Sequence, residues 1–291
     1  MTEIDNRGEV REFLQTRRAR ITPAQAGIIG GGRRRVTGLR REEVASLAGM
    51  SVDYYARMER GDLSGVSPEI LDALARALHL DDAEAAHLQD LAHAAGPRGP
   101  GYKRPRPSKT TIRPALQRLL DSIGAPAYIT NARKDFLALN TIGNAVFASI
   151  VDDPANRRNN ALFTFLNPAA QNFYTDWESG ANSIVASLHI EAGRNPHDKA
   201  LTDLIGELVT RSDVFRHRWA AHNVRFHRTG SKRVHHPEVG DLEFDYEALE
   251  LPADPGLLMF TMTPALDTPT EDRLRLLGSL AATRASEQTN V

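Results

Sequence analysis

Arginine placement is the first feature of this chain that could do chemistry. Arg33, Arg34 and Arg35 form an unbroken run, and Arg40 and Arg41 follow a few residues later. A guanidinium is a planar fork of donors that suits phosphate oxygens and the edge of guanine. Between Arg7 and Arg60 there are 12 Arg against 6 Asp and Glu, whereas from residue 110 onward 18 Lys and Arg face 22 Asp and Glu. The net charge of −1 over 291 residues therefore hides a basic front on a mildly acidic body. Such a distribution suits a molecule that meets phosphate at one end only.

Other reactive side chains form no convergent set. His217 and His222 lie five apart, about 140° around a helix axis, and so cannot clamp one ion from one helix. His235 and His236 are neighbours in a strand and point to opposite faces. Their convergence with His227 would need tertiary structure. His79, His87 and His93 read as surface or half-buried helix residues. No Gly-x-Ser-x-Gly elbow is present, and the carboxylates are scattered. No catalytic residue and no metal ligand set is assigned, and the chain does not read as an enzyme. Cysteine is absent, which excludes disulfides and thiolate sites and fits a reducing cytosol. No apolar run approaches membrane-spanning length. The N-terminus lacks a basic-then-apolar leader, so export by that route is not expected. The expected location is cytoplasmic, associated with the nucleoid.

The basic residues flank REEVASLAGMSVDYYARMERG, Arg41 to Gly61. Val44, Leu47 and Ala48 recur at helical spacing. Gly49 stands where a helix ends in a left-handed residue, and Ser51 can cap the next helix. Tyr55 and Met58 give that helix an inner face, and Gly61 ends it. Ala45 is small enough for the two helices to cross closely. Helix, glycine turn and helix describe a helix-turn-helix, whose second helix enters the DNA major groove. An Ala-xxx-Gly spacing alone would also fit an ordinary helical hairpin. The serine cap, the apolar offsets, the closing Glu59-Arg60-Gly61 and the basic flank separate the two. Ser51, Val52, Asp53, Tyr54 and Arg57 are the expected base-facing group, with Arg40 and Arg41 beside them. GIIGGGRRRVTG lacks the Gly-Lys-Ser/Thr ending of a nucleotide loop. It reads as a basic loop with Arg33, Arg34 and Arg35 near the DNA backbone.

Around this motif, residues 1–8 are polar and read as disordered. Val10 to Arg20 reads as a first helix, with Val10, Phe13 and Leu14 on one face and Arg11, Arg17, Arg18 and Arg20 on the other. Ser67-Pro68-Glu69 opens a helix carrying Ile70, Leu71, Leu74 and Leu78, and Asp81 to Ala95 makes a fifth, with Leu88 and Leu91 inward. These five helices form an all-α domain over 1–95. GPRGPGYKRPRPSK follows as a solvated linker over 96–110.

The domain over 111–285 mixes elements. A helix over Arg113–Ile123 turns Leu116, Leu119 and Leu120 inward. Pro126–Asn131 and Phe136–Leu139 read as strands, and Asn140 caps a helix carrying Val146, Phe147 and Ile150. Leu162–Thr210 is helical with a break at Gly193–Pro196, and Asp213–His222 is another helix. Strands at Val224–Arg228, Arg233–His236, Leu242–Leu251 and Leu257–Thr263 follow, then a helix over about Thr270–Ala282. The domain is thus α+β, an antiparallel sheet with helices packed on it.

These stretches also carry a resemblance. The helix-turn-helix is similar to that of the Cro and phage-repressor (XRE) family. GRRRVTGLRREEVASLAGMSVDYYARMERG with PEILDALARALHL resembles the MmyB-like regulators. Arg41 departs from the glutamine that many repressors of the wider family carry at that place, so base preference does not transfer. APAYITNARKDFLALNTIGNAVF resembles the opening of a PAS-like sensor domain. FHRTGSKRVHHPEVGDLEFDYEAL with GLLMFTMTP resembles the end of the MmyB-like ligand-binding domain. The resemblance implies a transcription regulator on double-stranded DNA whose second domain holds a small, apolar or fatty-acid-like molecule. Tyr128, Phe147, Phe173, Trp177, Trp219, Phe226 and Phe260 are the aromatic candidates to line such a site. No cofactor is expected. Two other readings stay open, a protein-interaction module without ligand and an enzyme that regulates itself through DNA. A homodimer held by residues after 110 is expected, since one recognition helix discriminates weakly.

Overall fold

The computed structural model describes residues 6–28, 36–96, 111–222 and 229–289, with side chains described as far as Arg284. Arg33, Arg34, Arg35, Phe226, His227, the strand expected over Val224–Arg228 and the linker after Gly96 lie outside the described residues. The chain falls into two units. The first comprises Met1–Pro105, Ala186–Ile205 and His217–Phe226; the second comprises Arg106–Val185, Gly206–Arg216 and His227–Val291. Two segments of the 111–285 span thus belong with the N-terminal helices.

Caps and apolar spacing account for the helices of the first unit. These are α1 (Asn6–Arg20), α2 (Arg41–Leu47), α3 (Val52–Glu59), α4 (Pro68–Ala77) and α5 (Asp82–Ala95). Asp81 caps α5 by accepting from the Glu84 amide at 2.8 Å, and Glu84 returns the bond to the Asp81 amide at 3.2 Å. Val10, Phe13, Leu14, Val44, Ala45, Tyr55, Met58, Leu74, Leu88 and Leu91 close one core, which Ile190 joins. Gly61 has a φ of +99°, and a Cβ there would lie 2.3 Å from the Arg7 carbonyl oxygen. Glycine is therefore required twice over at the end of α3.

Several expectations change here. Residues 6–8 are helical, because α1 begins at Asn6. Arg17 is 2% exposed, not solvated. Its Nε lies 3.0 Å from Glu84 and its guanidinium covers the Phe13 ring at 4.9 Å. Leu47 is exposed, because α2 buries the arc centred on Val44 and Ala45. His87 is buried, its ring edge-on to Phe13 at 5.1 Å. Burial there disfavours the imidazolium and pushes His87 down to about 3.

The second unit opens with α6 (Pro114–Asp121), β1 (Ala127–Asn131), β2 (Phe136–Leu139), α7 (Thr141–Val146) and α8 (Ala148–Val151). The single helix expected after Asn140 is therefore split, at Phe147. A 3-10 turn at Pro154–Asn156 leads to α9 (Asn160–Leu166), α10 (Ala170–Phe173), α11 (Trp177–Arg194), α12 (Lys199–Arg211) and α13 (Asp213–Ala220). Then come β3 (Thr229–His236), β4 (Gly240–Glu250), β5 (Leu257–Thr263) and α14 (Pro269–Thr289). The helical stretch expected over 162–210 is interrupted, and α11 continues through Gly193. There the ring of His87 occupies the place of a side chain, 2.7 Å from an ideal Cβ.

The sheet is antiparallel throughout, in the order β2-β1-β5-β4-β3. All five residues of β1 are buried, because helices cover both of its faces. Ala127 and Ile129 pack with Leu116 and Leu120 of α6, and Tyr128 turns the other way into a second cluster with Phe147, Phe173 and Leu277. Leu119 was expected inside but is 53% exposed, since Leu116 and Leu120 already fill the buried arc of α6. Asn140 ties this layer together. Its Oδ1 accepts from the Gly143 and Ala127 amides at 2.8 and 3.1 Å, and its Nδ2 donates to the Ile123 and Ala125 carbonyls at 2.9 and 2.7 Å.

Candidate nucleic-acid interface and sensor core

The turn between α2 and α3 follows from two residues. Gly49 takes a φ of +67°, and the Met50 amide returns to the Ala45 carbonyl at 2.9 Å. Ser51 then caps α3, accepting from the Tyr54 amide at 3.2 Å. That cap fixes which residues start the helix. Tyr55 and Met58 face the core, while Val52, 45% exposed, and Asp53 stand in solvent at its first turn. Arg57 is one turn on, its guanidinium 4.9 Å from the Tyr54 ring centre and its Nε 3.7 Å from Asp62. Ser51, Val52, Asp53, Tyr54 and Arg57 are thus brought together on α3 and its cap. The Arg40 amide donates to Glu43 at 2.6 Å, and its guanidinium reaches Glu42 at 3.4 Å.

Arg41 reveals what the sequence concealed. Its Nε donates to Oε2 of Glu59, a fully buried residue at the end of α3. The other oxygen, Oε1, takes Arg18 Nε of α1 at 2.5 Å and the Tyr55 hydroxyl at 3.2 Å. Burial alone would raise the Glu59 carboxyl, but the hydrogen bonds from Arg18 and Arg41 overturn that and hold it below the usual carboxylate range. Burial, and then the charge of Glu59, push the Tyr55 hydroxyl up. One carboxylate therefore fastens α1, α2 and α3. Tyr55 and Met58 mark the inner face of α3, and Glu59 continues that face.

The described aromatic candidates separate into two groups, one in each unit. Tyr128 stacks on Phe260 at 5.0 Å and meets Phe147 edge-on at 5.1 Å, and Phe147 meets Phe173 at 6.2 Å. Trp177 packs on this cluster and donates to the Thr164 carbonyl at 3.0 Å. Trp219 does not join them. It belongs to the first unit and stacks on His189 at 3.6 Å. A cavity of about 450 Å³ opens elsewhere in the second unit, lined by Thr175, Arg233, Glu243, Asp245, Thr268 and Arg273 among others. None of the described aromatic candidates lines it.

Sequence reasoning missed Lys232. Period-two alternation in β3 puts Lys232, Val234 and His236 on the inner face, where Lys232 pairs in register with Phe244. Its Nζ lies 5.9 Å from the Tyr174 ring centre and 5.8 Å from that of Tyr246, within cation–π reach. Desolvation, helped by Lys134, lowers its ammonium to about 8. Tyr246, Phe260 and Lys232 are each half-buried and form a rim beside the closed aromatic cluster.

A capped recognition-type helix on a bundle, followed by a five-stranded sheet domain, defines a helix-turn-helix regulator with an appended second domain. A helix-turn-helix domain family matches residues 10–88, and the MmyB-like transcription regulator ligand binding domain matches residues 112–277. The chain belongs to this MmyB-like family, as a DNA-binding transcription regulator with a ligand-binding domain. Both families are those of transcription regulators. A comparison with curated proteins finds no match. Among the described residues no helix is long and apolar enough to cross a membrane.

Removing the Glu59 charge should loosen the helix-turn-helix. Glu59→Gln is expected to cost about 3 kcal/mol in urea unfolding, since it strands two arginines beside a buried amide. The folded Glu59 carboxyl titrates below its unfolded value. Its contribution is therefore present above the ordinary carboxylate range and fades as pH falls toward the folded value. The variant should lose less stability than the parent over that acid interval. A variant within about 0.5 kcal/mol of the parent would contradict this role.

Proposed function

We propose that this regulator binds specific DNA sites through α3 and responds to a small apolar or fatty-acid-like ligand in its second domain. It works as a homodimer of XRE type in the cytoplasm, at the nucleoid, and its sheet domain acts as a PAS-like sensor. The observation that carries the DNA reading is the start of α3. There a serine cap leaves Val52 and Asp53 in solvent while Tyr55 and Met58 anchor the helix. Asp53 can accept from a cytosine amino group, and Arg57 suits a guanine edge. Arg57→Ala should weaken binding to a preferred duplex by about 1–3 kcal/mol while scarcely changing binding to unrelated DNA, measured by fluorescence anisotropy. Equal loss on both duplexes would make Arg57 a phosphate contact.

For the ligand, the rim of Lys232, Tyr246 and Phe260 supports an acidic head group with an apolar tail. The cation would take the carboxylate, and the tail would part the aromatic cluster of Tyr128, Phe147 and Phe173. Dodecanoate is a suitable probe. Its affinity should fall about tenfold or more in Lys232→Met, the scale of a hydrogen bond to a charged group, and should fall for the parent as pH rises through about 8, where Lys232 loses its proton. The closeness of the aromatic packing favours a second reading, a protein-docking domain without ligand. Native mass spectrometry separates the two, since only the first gives an added mass that disappears on denaturation.

One recognition helix offers few base contacts, and helix-turn-helix proteins double them by pairing on two-fold sites. The helical stretch from Leu162 to Thr210 would supply an isologous contact. Sedimentation of the full-length protein at micromolar concentration should show a dimer. A monomer there would overturn this part of the reading.

A further inference from the structure

Within the first unit a cluster of ligand-type side chains has no part in the reading above. Glu9 on α1, His189 on α11 and His222 just after α13 are 8%, 0% and 2% exposed. Each offers one ligand atom, and these atoms all lie within 4.8 Å of one another. His189 Nδ1 is 2.8 Å from Glu9 Oε1, and His222 Nδ1 is 3.5 Å from the same oxygen.

The outer nitrogens decide how the rings are used. His189 Nε2 meets the Trp219 carbonyl at 2.9 Å, and His222 Nε2 meets the Glu12 carboxylate at 2.7 Å. Both outer positions therefore face acceptors and hold an N–H. The inner Nδ1 atoms face the Glu9 carboxylate, so His189 Nδ1 carries a proton in its hydrogen bond to Glu9. An ion that displaces the inner proton would take an Nδ1 lone pair already aimed at Glu9. Imidazoles that bind metals are held in this way, with the far N–H given to a carbonyl or a carboxylate. Trp219 stacks on the His189 ring at 3.6 Å and fixes its plane. Independently, His222 Nδ1 is a buried polar atom with no hydrogen bond of normal geometry, an arrangement that costs free energy unless something occupies it.

We infer that Glu9, His189 and His222 form a site for one divalent transition-metal ion of the Zn2+ type. Two imidazoles and one carboxylate match the ligand preferences of that ion, and they do not suit Mg2+ or Ca2+, which favour oxygen. Bonds of 2.0–2.2 Å require ligand atoms roughly 3.4 Å apart, so small side-chain rotations suffice. The ion would replace the Glu9–His189 hydrogen bond and leave one position open. It would join α1 to the segments around His189 and His222, both of which fall within the family span of 112–277.

The test uses full-length protein dialysed against a chelator. Titration with Co2+ should give one equivalent with the strong visible bands of a four- or five-coordinate ion, displaced by Zn2+. Competition against a chromophoric chelator should give one Zn2+ per chain. Glu9→Gln and His222→Gln should abolish tight binding, with far-UV circular dichroism confirming that each variant is folded. Glu12→Gln alters an exposed residue outside the first ligand sphere and should weaken Zn2+ about tenfold, the scale of such outer partners. Absence of a stoichiometric Co2+ spectrum on the parent would overturn the site. So would tight Zn2+ binding that survives in a folded His222→Gln, which would move the ion to exposed groups such as His235 and Asp241.

Discussion

A carboxylate with no exposure to water must be compensated, and Glu59 is compensated by side chains from two other helices. An isolated buried charge of this kind costs several kcal/mol. Arg18 reaches it from α1 and Arg41 from α2, while Tyr55 adds a hydroxyl from the same helix. The requirement to satisfy one anion therefore sets the mutual position of three helices. Hydrophobic burial drives these helices together, but it is non-directional. The carboxylate supplies direction, and it also orients α3, whose first turn presents Val52 and Asp53. Arg41 acquires a structural duty that glutamine, which carries no charge, would not fulfil in the same way.

The second unit solves a similar problem with a neutral group. Asn140 satisfies two amides and two carbonyls at the junction of α6, β1, β2 and α7. An amide side chain offers both donors and acceptors, so it can close such a junction without a buried charge. The interior strand β1 is then covered on both faces, which accounts for its uninterrupted burial. Lys232 departs from this economy. Its ammonium sits between two tyrosine rings where desolvation already lowers it, and no carboxylate salt bridge offsets that cost among the described residues. Groups kept at such a cost concentrate at sites of function.

What the sequence revealed was local. Val44, Gly49, Ser51, Tyr55, Met58 and Gly61 act through spacing, caps and backbone angles, all of which are short-range, and the α2–α3 motif followed from them. The strands at 126–131 and 136–139 and the Asn140 cap were legible for the same reason. Long-range pairings were not. Arg17 reads as a surface residue until Glu84, far along the chain, is placed beside it. Glu9 lies 180 residues before His189, and no spacing rule joins it to His189 and His222. Lys232 was within reach, because alternation in β3 places it beside Val234 and His236 on the inner face. The aromatic candidates were chosen by type alone, which is why Trp219 stands apart from Tyr128, Phe147 and Phe173.

The central claim is that the chain reads DNA sequence with the first turn of α3, held by the Glu59 anchor. Selection from a random pool of duplexes by the full-length protein, followed by sequencing, tests this most directly. The account predicts enrichment of a defined motif, and loss of that enrichment when Val52 and Asp53 are both replaced by alanine in a folded protein. A pool that emerges without a preferred sequence, or a motif unchanged by the double replacement, would contradict it.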